Sequence, residues 1–124
     1  MSEKEKVDKA VELYNQGKFK EAIDAFSSVL ETCQDNAELY NNIALCYANL
    51  GEYDKAEKHY LRAQELNPKL PQVYINLADI YYRKKDMGSG IGLVSTGLAE
   101  IPDNLVLRHY LARFYMEDAK LDLA

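Results

Sequence analysis

The sequence predicts an all-α fold, a solenoid of antiparallel helix pairs, and three observations carry that prediction. Residues 37–70, AELYNNIALCYANLGEYDKAEKHYLRAQELNPKL, hold two helix-period apolar patterns on either side of Gly51. The same patterns return 34 residues away in both directions. Helix breakers fall between the periodic stretches: Asn15-Gln16-Gly17-Lys18, Gln34-Asp35-Asn36, Leu50-Gly51-Glu52 and Asn67-Pro68. Within the middle stretch, Tyr40, Ile43, Ala44 and Tyr47 stand at i, i+3, i+4 and i+7, one face of a helix. After Gly51, Ala56, Tyr60 and Ala63 make a second face. Gly51 suits the positive φ that a helix end often requires. One such hairpin cannot bury its apolar face alone, so its copies must stack.

The repetition shows as columns of like residues. Ala10, Ala44, Ala78 and Ala112 are 34 apart, as are Tyr47, Tyr81 and Tyr115, and Ile43, Leu77 and Leu111. Ala22, Ala56, Gly90 and Ala124 form a second small-residue column, Phe26, Tyr60 and Val94 a bulky one, and Pro68 pairs with Pro102. Small residues let helices approach closely, and large ones fill the grooves between them. In the middle unit Tyr40-x2-Ile43-Ala44-x2-Tyr47, Ala56-x3-Tyr60, Ala63 and Pro68 resemble the tetratricopeptide repeat, W-x2-L-G-x2-Y…A-x3-F…P. The resemblance implies a right-handed superhelical solenoid: one tetratricopeptide (TPR) domain over 1–124, with repeats at 3–36, 37–70 and 71–104. Residues 105–124 are then a partial fourth unit or capping helix, giving three helix pairs plus one helix.

The outer units depart from the pattern. In the first, Lys6 and Lys9 replace large apolar residues, as expected of a terminal helix that shows solvent a polar face. In the third, Lys85 takes the turn position that Gly17 and Gly51 hold. The helix after it carries Gly88, Gly90, Gly92 and Gly97. Gly90 and Gly97 fall in small-residue columns; Gly88 and Gly92 do not, and each should weaken the helix by roughly 1 kcal/mol relative to Ala. A softer third hairpin is expected. From Leu105, the expected packing face is Leu107, Leu111, Ala112 and Tyr115, with Val106, Tyr110, Phe114 and Met116 off that face. Leu121, Asp122 and Ala124 align with Tyr53, Asp54 and Ala56, as though a further second helix opened there. The end of the chain therefore reads as an excised fragment or as a surface that meets another chain.

Composition narrows the function. Hydrophobic residues are 48% and charged residues 28%, ordinary for a soluble protein, and the net charge of −5 disfavours nucleic acid and anionic membranes. No apolar run approaches the roughly 18 residues of a membrane span. The N-terminus MSEKEKVDK lacks the apolar core of a secretory signal, and Cys33 and Cys46 have no CxxC partner, which together suggest a cytoplasmic protein with reduced thiols. His59 and His109 show no HExxH spacing, there is no GxSxG, and no metal or cofactor set is recognisable. His59 reads as an exposed residue of a second helix. The expectation is a protein without enzymatic activity. The Gly88–97 run raises nucleotide or phosphate binding as a distant alternative. It lacks GxxxxGK[ST] and any preceding strand.

A surface remains as the route to function. The resemblance implies that first helices line a groove with their non-packing stripe, and that the groove binds a protein or peptide segment. The candidate residues are Asp8 and Tyr14; Asn42, Leu45 and Asn49; Asn76, Asp79, Tyr82 and Arg83; and Tyr110 and Arg113. Asp8, Asn42, Asn76 and Tyr110 form one column. An amide both donates and accepts, so Asn42 and Asn76 could pair with the backbone of an extended ligand, as in some family members, or merely solvate the groove. The family's clamp for acidic chaperone C-termini fits poorly. Of its residues Asn42 survives, whereas Val7 and Val11 replace one pair and Ile75 and Asp79 another. An alternative to groove binding is weak homodimerisation through the apolar C-terminal helix.

Overall fold

The computed structural model describes residues 1–123. It contains α1 (Glu3–Asn15), α2 (Phe19–Leu30), α3 (Ala37–Asn49), α4 (Tyr53–Leu66), α5 (Pro71–Arg83), α6 (Met87–Glu100) and α7 (Leu105–Leu123), with no strand among the described residues. The fold is all-α, as the periodicity predicts. The helices form two compact units, Met1–Leu66 with α1–α4 and a second from Asn67 with α5–α7.

Helix ends follow from side chains at the caps. Ser2, Asn36, Asp86 and Asn104 accept hydrogen bonds from the amides of Glu5, Leu39, Ser89 and Leu107, opening α1, α3, α6 and α7. The three hairpin turns close alike. The amides of Lys18, Glu52 and Asp86 each donate to the carbonyl five residues earlier, on Leu13, Tyr47 and Tyr81, at 2.9 Å. That closure needs a left-handed residue, and Gly17, Gly51 and Lys85 supply it with φ of 78°, 77° and 59°. Lys85 therefore adopts the glycine conformation, which costs a residue with a Cβ roughly 1–2 kcal/mol.

In the first unit, α1 packs on α2, α2 on α3 and α3 on α4. Ala10 and Ala22 are wholly buried, and Ile23, Phe26, Val29, Leu39, Ile43 and Cys46 complete one apolar core. Ala44, Ala56 and Ala63 are buried with Tyr60. Helix α3 thus has two packed faces. Leu39 and Cys46 join the core that α2 lines, while Tyr40 and Tyr47 lie 6.2 and 5.2 Å from His59 on α4. His59 is correspondingly half-buried rather than exposed, and its Nδ1 is bonded to the Lys55 carbonyl.

In the second unit, α5 and α7 both pack on α6. The glycine-rich stretch forms a helix as long as α4, 14 residues each. Two of its glycines are required by packing: a Cβ at Gly90 would drive into the Phe114 ring, and one at Gly97 would lie 2.9 Å from the Tyr74 ring. Gly88 and Gly92 face open space. The run offers no phosphate loop. Its amides are tied into a helix, and the Asp86 carboxylate stands at the N-terminus where an anion would have to approach.

Helix α7 differs from expectation in two ways. It runs unbroken to Leu123, so Leu121 and Asp122 belong to it and do not open a new helix; Ala124 lies outside the described residues. The reason is local: Ala119 stands in the column of Gly17, Gly51 and Lys85, and alanine favours continuing the helix over a left-handed turn. The packed face also differs. Leu107 and Phe114 are buried, Tyr110 and Leu111 half-buried, and Ala112 and Tyr115 exposed along with Val106 and Met116. Leu107 and Phe114 occupy the columns of Leu39 and Cys46, so α7 meets α6 as α3 meets α2.

Gly90→Ala should destabilise the fold by roughly 1–3 kcal/mol through overpacking against Phe114. Gly92→Ala, two residues on and facing open space, should stabilise it by about 0.5–1 kcal/mol. Urea unfolding of the two variants checks this, and effects of equal sign would show that Gly90 and Phe114 are not in contact.

Candidate functional site

In the first unit, the faces of α1 and α3 enclose a cavity of about 230 Å³ lined by Val11, Tyr14, Asn15, Phe26, Asn42 and Leu45. Helical spacing produces it. Val11, Tyr14 and Asn15 share one stripe of α1, and Asn42 and Leu45 are one turn apart on α3. Phe26 on α2 closes the floor. Asn49 braces the rim, its Nδ2 donating to the Leu45 carbonyl at 2.8 Å and to the Tyr14 hydroxyl at 3.2 Å. The Tyr14 ring is fixed from the side by an edge contact with Phe19 at 5.3 Å. The wall is apolar, with two amides and one hydroxyl, and carries no charged side chain. Of the predicted residues, Tyr14, Asn42, Leu45 and Asn49 come together here; Asp8 is exposed and does not line the cavity. Phe26 escaped sequence reasoning because its column, with Tyr60 and Val94, reads as core.

In the second unit, α5 and α7 bring five predicted residues into one cluster. The Arg83 Nε donates to Asp79 Oδ2 at 2.9 Å, and the Tyr110 hydroxyl stands 3.5 Å from Asp79 Oδ1. The Arg113 guanidinium lies over the Tyr82 ring at 4.3 Å and 5.8 Å from the Tyr110 ring centre. Phe114 supports both rings from below. Asp79 is thus engaged by its neighbours, and a cation on an aromatic shelf is what the cluster shows to solvent. Asn76, the remaining candidate on α5, accepts from Gln72 Nε2 at 3.1 Å. Burial, reinforced by the Asp79 charge, pushes the Tyr110 hydroxyl above the usual tyrosine pKa. A hydrogen bond with Tyr82 holds Arg113 further toward its charged form.

The remaining reactive groups are disarmed. Burial pushes the Cys46 thiol up to about 11. Cys33 donates to a Glu3 carboxylate oxygen at 3.0 Å, which raises its pKa as well. Neither is a thiolate at neutral pH, the form a nucleophile requires. Among the described residues no three His, Cys, Asp or Glu side chains are grouped to hold a metal ion, and no helix is long and apolar enough to cross a membrane.

Tyr110 provides a pH test of the second cluster. Its folded pKa is raised, so its contribution to stability is present below the ordinary tyrosine value, near 10, and is lost as the pH climbs past it. Ring-labelled tyrosine NMR should place Tyr110 above the exposed tyrosines. Asp79→Asn should bring it part of the way down, because burial is the larger cause. A titration indifferent to Asp79 would break the cluster apart.

Comparison with known proteins agrees with this architecture. A family model described as "Tetratricopeptide repeat" matches residues 37–70, and one described as "TPR repeat" matches 11–51. The BBSome complex member BBS4 from Bos taurus is 29% identical over 85% of this chain, which covers 20% of that protein. The chain spans less than half the length of such curated relatives. Among solved structures, the first TPR of Spaghetti (RPAP3), bound to the HSP90 peptide SRMEEVD, superposes with a TM-score of 0.83 at 21% identity, over 94% of this chain and 93% of that one. The Yersinia enterocolitica secretion chaperone SycD, in complex with a peptide of the translocator YopD, gives 0.79 at 16% identity over 97% and 92%. At these identities the likeness establishes the fold. The two models together recognise tetratricopeptide repeats across residues 11–70, which makes this a tetratricopeptide repeat protein.

Proposed function

We propose that this chain is a protein-interaction adaptor without catalytic activity, which binds an extended peptide segment along the exposed faces of its first helices. The cavity between α1 and α3 carries the proposal. Its volume and apolar lining suit one aliphatic or aromatic side chain, and the Asn42 amide at its edge can serve a ligand peptide group. In the second unit, the Tyr82, Tyr110 and Arg113 cluster offers stacking and one positive charge, and Asp79 with Arg83 holds it in place. The peptides held by Spaghetti and by SycD support a ligand of this class. The reading does not extend to an acidic C-terminal tail, since Val11, Ile75 and Asp79 stand where a clamp would need basic or amide side chains. The two free thiols favour a reducing, cytoplasmic setting.

Selection from a random peptide display library, followed by titration of the recovered peptides, tests the proposal. Asn42→Ala should weaken binding about 2- to 10-fold, the loss of one net hydrogen bond of roughly 0.5–1.5 kcal/mol. Leu45→Glu, which puts a charge into an apolar wall, should weaken it more, with helix content unchanged. Asn76→Ala should act like Asn42→Ala if the amides form a ladder. Peptides that bind Leu45→Glu as well as the native chain would place the site elsewhere.

A further inference from the structure

We infer that the outer face of α7 is an interface between two copies of this chain, joined antiparallel about Ala112. Leu105, Tyr115 and Met116 on this helix are 76%, 53% and 61% exposed, the largest group of exposed apolar side chains on one element. Helical spacing gathers them. Leu105, Ala112 and Ala119 are seven residues apart, and Arg108 and Tyr115 fall between them, so they form one heptad stripe on a separate side of the helix from the buried Leu107 and Phe114.

The repeat columns say what covers such a stripe. Tyr115 stands in the column of Tyr47, and Ala112 in that of Ala44, the residues with which α3 receives α4. Helix α4 presents Ala56-x3-Tyr60-x2-Ala63, all buried. Helix α7 carries that spacing too, as Ala112-x3-Met116-x2-Ala119, and on the same exposed stripe. It therefore has both halves of the contact by which α3 and α4 join, the receiving Ala112 and Tyr115 and the inserting Ala112, Met116 and Ala119. A surface holding both halves is complementary to itself, and a two-fold axis closes it.

The register follows from Ala112 at the axis. In an antiparallel pair, Leu105 meets the small Ala119 of the second copy, and Arg108 meets its Met116 and Tyr115. Between α3 and α4 the tyrosines are likewise covered by cations, Lys55 lying 5.6 Å over the Tyr47 ring and Arg62 5.9 Å over that of Tyr40. The Arg108 guanidinium is held on its own chain, its Nε and Nη2 donating to the Pro102 carbonyl at 3.1 and 2.8 Å, and its flat face would lie against Tyr115 of the second copy. A basic helix from another protein could cover Tyr115 equally well, but it would face Arg108 with like charge; the second copy presents an aromatic ring there instead.

Sedimentation velocity of the purified chain from micromolar to millimolar concentration is the test, together with Ala112→Glu and Met116→Glu, both at exposed positions and both checked for native helix content. The native chain should show a monomer–dimer equilibrium, and each substitution should weaken it about tenfold or more by burying like charges beside the axis. Ala112→Cys, in a Cys33→Ser background, should oxidise to a disulfide-linked dimer, because the residue meets its own copy. Glu117→Cys, off the stripe, should not. A native chain that stays monomeric throughout would overturn the inference, as would a dimer unmoved by both glutamates or one cross-linked equally through position 117.

Discussion

Close approach between paired helices is the constraint on which the structure rests. Ala10, Ala22, Ala44, Ala56 and Ala78 are all fully buried, and Gly90 takes the same role where the Phe114 ring leaves no room for even a methyl group. With small residues at the crossings, the bulky neighbours reach past them: Phe26, Tyr60, Tyr74 and Phe114 are the largest fully buried side chains among the described residues. Close packing at native density makes each crossing intolerant of added volume. The turns serve the same end. A left-handed residue at Gly17, Gly51 and Lys85 reverses the chain in the shortest distance, which brings the alanine columns of consecutive helices together.

Helix α3 is packed on two sides, by α2 and by α4, which leaves one stripe of it open. On α3, Leu39 and Cys46 serve the core shared with α2, while Tyr40 and Tyr47 serve the side of α4. The stripe between these faces holds Asn42 and Leu45, at the cavity. Helix α7 has the first kind of packing through Leu107 and Phe114 and lacks the second, so Ala112 and Tyr115 lie in the open. The same helix also supplies Tyr110 and Arg113 to the cluster with Asp79 and Tyr82. Peptide recognition and self-association would therefore use different sides of one helix.

The repeat was legible wherever residues of similar size recur at 34-residue spacing, which covers the alanine columns, the tyrosines after them and the breakers between helices. The face shared with the preceding helix was not. Its column puts Cys46 on α3 and Phe114 on α7, side chains of very different volume, because Gly90 on α6 makes room for the larger. Complementary changes of this kind erase the resemblance that a column depends on, and so Phe114 was expected off the packed face. Lys85 concealed a left-handed turn because backbone hydrogen bonding imposes it whatever the side chain. The candidate groove residues are read from the stripe alone. Their mutual contacts, such as Asn49 with Tyr14 or Arg113 with Tyr82, depend on rotamers and distances that spacing does not specify.

The central claim is that one small-residue column is a close contact where a second helix covers it and open surface where none does. Thermal unfolding of Ala44→Leu and Ala112→Leu, at a concentration low enough to keep the chain monomeric, tests it directly. Both residues occupy the same column, one fully buried and one exposed. Ala44→Leu should cost roughly 1–3 kcal/mol, a fall in Tm of about 4 °C for each, whereas Ala112→Leu should leave Tm unchanged. Equal losses at the two positions, or no loss at Ala44, would contradict it.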